Sequence, residues 1–330
     1  MRKVTLIRGA RQLLTLRGPT GPRRGADLQH LGIIPDGALL IAGGRIVEVG
    51  PSRRIENLAL ARGAQEVDAS GCVVMPGFVD CNVHLVTNVQ ERSPRALTFL
   101  ALHAVEEAIR CGTTAMEAKS ESGLTAPSAM KVLRVHAALR DLPFSFVSTA
   151  VAPQEPLLAM PRARRLADFL ELPSENGETL AKALEFGWSV KPGDSGAIKT
   201  LTPLVSFLAD SSFAPARAMI ENGAAVALAS GAAPANMQTM IALACRAMEM
   251  TSAEAISAAT INGAHAMRRA ASIGSIEVGK SADVLILGLP DYRELPYHLG
   301  VNLANVVIIQ GSVRVERSSV MWPDHEWSEQ

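Results

Sequence analysis

At 330 residues, 48% hydrophobic and 19% charged, the chain is long enough for one large core or a barrel with an appendage. Its 32 basic and 32 acidic residues cancel to a formal net charge of zero, which leaves no electrostatic case for nucleic acid or an acidic membrane surface. Arg8 and Arg11 interrupt the N-terminal apolar run, no stretch reaches the ~18 apolar residues of a membrane span, and Cys72, Cys81, Cys111 and Cys245 lack close paired spacing, so the expectation is a cytoplasmic protein with reduced thiols.

In chain order, residues 1 to about 75 are strand-rich, with apolar runs at 4–7, 38–41, 45–49 and 73–75. Gly43-Gly44 between two such runs signals a two-residue hairpin. Arg23-Arg24 falls in a Gly/Pro turn and is expected in a solvated loop. Leu97, Leu100, Ala101, Ala104, Val105 and Ala108 recur at helical spacing, and Gly112 supplies the stop. A strand over 113–119 follows, then a helix from near Pro127 and a strand over 144–151. Helix signals at 163–172 and 178–186 have no clear strand after them. Beyond a strand at 225–229, Met237, Met240, Ile241, Ala244 and Met248 stripe a helix and read as core. Thr251-Ser-Ala-Glu254 is a capping box, and 282–287 and 306–309 are further strands.

This alternation reads as successive βα units over about 200 residues from Gly77 to Ile273, fewer than the ~250 that a barrel of eight such units takes. At most six strands can be placed, so one or two βα units are expected to be missing. The strand edges left open then need a helix, a loop or a second subunit to cover them.

The run from Val73 to Leu85 holds Asp80, Asn82 and His84 at alternating positions after Pro76-Gly77. On a strand, Asn82 and His84 share a face. Two histidines there could grip a metal, whereas a neutral amide is a poor substitute for imidazole on zinc or iron.

These motifs resemble those of the amidohydrolase superfamily, and within it the imidazolonepropionase group. The likeness rests on Gly21-Pro-Arg-Arg-Gly25, 31–37, 43–51, Pro76-Gly-Phe-Val-Asp80, Gly112-Thr-Thr114, Glu117-Ala-Lys-Ser120, Thr260-Ile-Asn262, 274–280, Ala282-Asp283 and Glu294-Leu-Pro-Tyr-His298. It implies an α/β, metal-dependent-hydrolase-like (β/α)8 TIM barrel, here incomplete, over 76–274. A small composite β-sandwich from 1–75 and 275–330 is implied beside it. It also implies hydrolysis of a cyclic amide C–N bond, in histidine degradation, by zinc or iron held through a His-x-His, a mid-barrel histidine and a last-strand aspartate.

At the matching positions most of that set is absent. Asn82 replaces the first histidine, His84 is retained, Gly231 stands where the aspartate is expected, and no histidine lies between His136 and His265. Glu91, with Arg92 next to it, occupies the place of the family's substrate-carboxylate arginine, and Glu121-Ser122-Gly123 replaces its tyrosine loop. Glu117 and Lys119 lead to the barrel mouth and read as a structural ion pair. The expectation is therefore no bound cofactor and impaired catalysis, with His84 as a solitary metal ligand and Glu117, Lys119, Asn82 and Arg92 as pocket residues. The alternative is a C–N hydrolase with a rebuilt or metal-free site around His84, Glu117 and Lys119. A small-molecule ligand and a homodimer are the expected partners. His103 and His136 are expected at the surface or a boundary, His298 in a packing turn, and His325 in the tail.

Overall fold

The computed structural model describes residues 4–151, 155–172, 177–192, 198–233 and 236–316, so His325 lies outside the described residues. The N-terminal part contributes β1 (Val4–Leu14), β2 (Ile33–Ala42), β3 (Arg45–Pro51), β4 (Gln65–Asp68) and β5 (Val73–Pro76). The central part contributes β6 (Phe78–Val83), β7 (Thr113–Lys119), β8 (Ser145–Val151), β9 (Phe169–Leu172), β10 (Val190–Pro192), β11 (Ile198–Leu201) and β12 (Ala225–Leu228). The C-terminal part adds β13 (Val284–Leu287), β14 (Ala304–Ile309) and β15 (Ser312–Glu316).

Strands from both ends of the chain join one sheet of order β15-β14-β13-β5-β1-β2-β3, with β4 on β1. The seam is β5, which pairs parallel with β1 and antiparallel with β13. Gly43 and Gly44 both have positive φ, 59° and 77°, as a tight hairpin turn between β2 and β3 demands. That hairpin folds back across the sheet. Ile46 N–H donates to Lys280 O at 3.0 Å, and Ala282 N–H donates to Gly44 O at 2.9 Å. The curl encloses Ile7, Leu13, Leu39, Ile41, Val74, Val284, Ile286 and Ile308, all buried.

Pro76-Gly77 passes the chain from this domain into the barrel through a tight contact. A Cβ on Gly77 would sit 2.2 Å from the Thr114 side chain, so only glycine fits against β7 there. The central strands form two parallel sheets, β10-β9-β8-β7-β6 and β11-β12. They close at one side, where Ser230 N–H donates to Asp80 Oδ1 at 3.1 Å and Gly231 N–H to Asn82 O at 2.9 Å. At the other side β10 and β11 form no ladder among the described residues. Only residues 193–197 separate them, fewer than the dozen or so that a helical crossover takes.

The barrel thus has seven strands among the described residues, one more than the sequence pattern offers. The stretch 163–172 is not one helix but a helix, Pro161–Leu166, followed by β9. The helix Gly177–Glu185 is followed after all by a strand, β10. Both strands are short, and each turns a charged residue inward, Glu171 and Lys191, so neither carries a readable apolar alternation.

The lower barrel interior is apolar: Val79, Cys81, Ala115, Val147, Ala227 and Ala229 pack with Ala264, Met267 and Ile273. Outside it, the helices Pro94–Arg110 and Met237–Ala247 bury their apolar stripes in the largest core, and the methionines are packing residues as expected. Both hydrogen bonds of the Thr251–Glu254 capping box are present.

Two side chains depart from expectation. Arg23 is 2% exposed rather than solvated. Its guanidinium donates to the carbonyls of His30 and Leu16, while its backbone N–H and C=O pair with the Asn262 amide at 2.8 and 2.9 Å. His136 is fully buried, not at a boundary, because it faces β8, where it shares a 3.0 Å hydrogen bond with Ser148 Oγ and meets the Phe146 ring edge-on. His103 and His298 are exposed. No described helix is long and apolar enough to cross a membrane.

Candidate active site at the barrel mouth

Ala115, Glu117 and Lys119 alternate along β7 and so share the face turned into the barrel. Ala115 belongs to the apolar floor; the next two residues begin a polar layer above it. The Glu117 carboxylate is fully buried and accepts from Thr149 Oγ1 at 2.7 Å and from Lys191 Nζ at 2.8 and 2.6 Å, one bond to each oxygen. Lys119 Nζ donates to Glu171 Oε2 at 2.6 Å. The expected Glu117–Lys119 pair is therefore not formed. Each residue instead pairs across the barrel, Glu117 with β10 and Lys119 with β9. Burial acts to lower the Lys119 pKa, but Glu117 and Glu171 outweigh it and the ammonium is held above its ordinary value. The layer holds two ammonium groups against two carboxylates.

Beside it, Asp80 is fully buried where β6 meets β12. Ser230 Oγ donates to Asp80 Oδ2 at 2.5 Å. Burial pushes the Asp80 carboxyl up to about 6, the nearby Glu117 adding to the effect. Cys81 is buried among the same charges, its thiol raised to about 12 by burial, so it is inert as a nucleophile. His84 Nδ1–H donates to the Lys119 carbonyl at 3.2 Å, which leaves Nε2 as the acceptor nitrogen. Burial lowers the His84 pKa and keeps the ring neutral near pH 7. Asn82 Oδ1 is buried without a hydrogen-bond partner among the described residues. Arg92 is not drawn into this layer: its side chain is exposed in the turn before the helix Pro94–Arg110, and its carbonyl accepts from Lys131 Nζ at 3.1 Å.

A catalytic zinc or iron needs about three nitrogen, sulfur or carboxylate donors around one point. Among the described residues no group of three His, Cys, Asp or Glu could hold an ion. His84 is flanked by an amide, Gly231 offers no side chain, and the mid-barrel strand brings an ammonium, Lys191, onto the carboxylate. Both carboxylates of the layer are already engaged by ammonium groups and no third donor joins His84 among the described residues, so these residues do not fit the metal. Sequence reasoning passed over Lys191 and Glu171. The only signal for them is a charged residue inside short apolar runs, as in Trp188-Ser-Val-Lys-Pro192.

The sequence profile of the amidohydrolase family matches residues 197–317. The imidazolonepropionase of Parabacteroides distasonis is 32% identical over 408 residues, covering 93% of this chain and 98% of that protein. The imidazolonepropionase of Symbiobacterium thermophilum is 31% identical, covering 96% and 98%. These alignments outrun the chain's 330 residues, so the relatives carry internal sequence that this chain lacks. Among solved structures, ochratoxinase from A. niger superposes with a TM-score of 0.70 at 16% identity, covering 96% of each chain. A zinc-bound adenosine deaminase from Xanthomonas campestris gives 0.64 at 18% identity, covering 94% of this chain and 93% of the other. Taken with the seven-stranded barrel, these similarities make the chain a member of the amidohydrolase superfamily, related to the imidazolonepropionases.

Proposed function

We propose that this chain is an imidazolonepropionase homologue in which the metal-dependent hydrolysis of histidine degradation has been lost, leaving the fold to act by binding or association. The observation that carries this reading is the Lys191–Glu117 pair, with Lys119–Glu171 beside it, in the layer where hydrolytic metal donors would have to converge. Hydrolysis of an unstrained amide at neutral pH needs a strong nucleophile. A catalytic metal makes one by lowering the pKa of bound water from 15.7 to about 7. At 1.36 kcal/mol per unit, that is on the order of 10 kcal/mol, an upper bound on what the missing donors forgo.

The remaining groups do not replace it. Glu117 accepts three hydrogen bonds from two donors, Thr149 and Lys191, and Lys119 is held as an ammonium. The Cys81 thiol is raised to about 12, so a negligible fraction is thiolate at pH 7. Among the described residues, His84 Nε2, left as the acceptor nitrogen, is the group that favours the alternative, a metal-free hydrolase. A hydrolysis assay with imidazolonepropionate, with and without added zinc or iron, tests the reading. No turnover above background is expected in either condition. Turnover that rises with metal and collapses in His84→Ala would overturn it.

A further inference from the structure

We infer that a cleft at the opposite end of the barrel from the mouth binds a small ligand through its phosphoryl group. The cleft holds about 390 Å³, within the range of small-molecule sites, and none of the mouth residues lines it. Three segments build it: residues 16–20 after β1, the helix Ile261–Ala266 with the turn that follows, and the turn carrying Glu277 and Lys280. Arg268 fixes its place in the fold. That guanidinium lies 5.2 Å from the centre of the Phe169 ring and donates to Val190 O at 3.3 Å. Phe169 and Val190 are the first residues of β9 and β10, whereas Glu117 and Lys119 of the mouth lie toward the end of β7.

Charge selects the ligand. Arg268 has no carboxylate partner among the described residues. Lys280 Nζ is fixed in the wall, donating to Ala270 O at 2.7 Å and to Ser275 Oγ at 2.6 Å. The guanidinium of the buried Arg23 lies against the loop, its Nη2 3.0 Å from where a Cβ on Gly18 would stand. Arg17 is near enough to act on Glu277. Against these four cations the cleft is lined by one carboxylate, Glu277, which Lys280 holds at 3.2 Å. Asp27, the other acid near Arg23, lies 3.9 Å from His30. His265 registers the imbalance. Its ring makes no hydrogen bond among the described residues, and burial, then Lys280 and Arg23, hold the imidazole below its ordinary pKa. A phosphoryl group, with a charge of about −1.5 to −2 near pH 7, offsets this excess more fully than a carboxylate does. Arg268 brings a forked donor to it and Thr20 a hydroxyl. Leu16 and Ile261, both buried, give the cleft an apolar wall for the organic part of an ester. This inference does not depend on whether the barrel mouth binds a metal.

The test is titration of the full chain with phenyl phosphate, and separately with inorganic phosphate, at constant ionic strength. Binding is read from the His265 ring protons by NMR, assigned with His265→Gln. Saturable shifts are expected, together with a rise in the His265 pKa, because an anion beside the ring offsets Lys280 and Arg23. Arg268→Gln should weaken binding roughly 10-fold by removing the forked donor. Arg17→Gln, which removes only a neighbouring charge, should weaken it roughly 3-fold and serves as the test should the Arg268 variant fail to fold. Arg53→Gln, at an exposed site on the helix Ser52–Ile55, should leave binding unchanged. Tighter binding of phenyl phosphate than of inorganic phosphate supports an ester, and equal affinity supports the free ion. No saturable shift with either probe, wild-type affinity in the Arg268 and Arg17 variants, or an equal loss in the Arg53 variant would overturn the inference.

Discussion

Residue by residue, the barrel mouth is governed by compensation. Lys191 and Glu117 are each affordable in the interior because the other is there, and removing one partner of a buried pair typically costs about 3–5 kcal/mol. Lys191→Met should therefore lower unfolding stability in urea by that order at pH 7. The double variant Lys191→Met with Glu117→Leu should recover most of the loss. Asp80 makes a separate prediction with a definite sign. Its folded pKa of about 6 lies above the ordinary 3.8, so the native state favours the protonated form. The stability this confers is complete below about pH 4 and is lost as pH rises through 6, an amount of about 3 kcal/mol. Asp80→Asn should flatten the stability profile between pH 4 and 6, as followed by thermal or urea melts across that range. Restoring two family ligands by Asn82→His with Gly231→Asp should not yield metal-dependent turnover in the imidazolonepropionate assay. Lys191 stays in place, and Gly231, at φ 73°, would bring a Cβ within 2.5 Å of Val205.

Where elements meet, short contacts between named residues decide the geometry. Gly77→Ala would force its Cβ against Thr114, so we expect a loss of about 1–3 kcal/mol in urea unfolding, partly restored by Thr114→Ala. His136 ties the helix Ala126–Leu139 to β8, and burial drives its pKa from 6.5 down to about 3. The neutral ring is favoured in the native state, so stability is present above pH 6.5 and falls as pH drops toward 3. His136→Gln should lessen that acid lability, opposite in sign to the Asp80 effect.

The elements legible in the sequence are those whose pattern is set locally. The strand Thr113–Lys119 is bounded by Gly112, the Thr251 cap is written in four residues, and the helix Met237–Ala247 repeats its stripe. Strands β9 and β10 are hidden because tertiary partners, not local apolarity, justify Glu171 and Lys191 inside. The same reason conceals half the candidate site. Glu117, Lys119, Asn82 and His84 could be placed from their motifs, whereas their cross-barrel partners come from a stretch with no motif. Arg92 lies exposed in the turn before the helix Pro94–Arg110, since a sequence position soon after β6 does not fix where a turn points its side chain.

For the molecule as a whole, the amidohydrolase scaffold is retained around a shortened barrel. The N- and C-terminal strands still join in one sheet, and β6 still meets β12 through Asp80 and Ser230. Internal sequence present in the relatives is absent, and β10 and β11 form no ladder among the described residues. The proposed loss of chemistry rests on that architecture: paired lysines and glutamates occupy the mouth among the described residues. Elemental analysis of freshly purified, unsupplemented protein is the most direct check. The account predicts zinc and iron far below one atom per chain after exhaustive dialysis. About one tightly held zinc or iron per chain, released on replacing His84 with alanine, would contradict it.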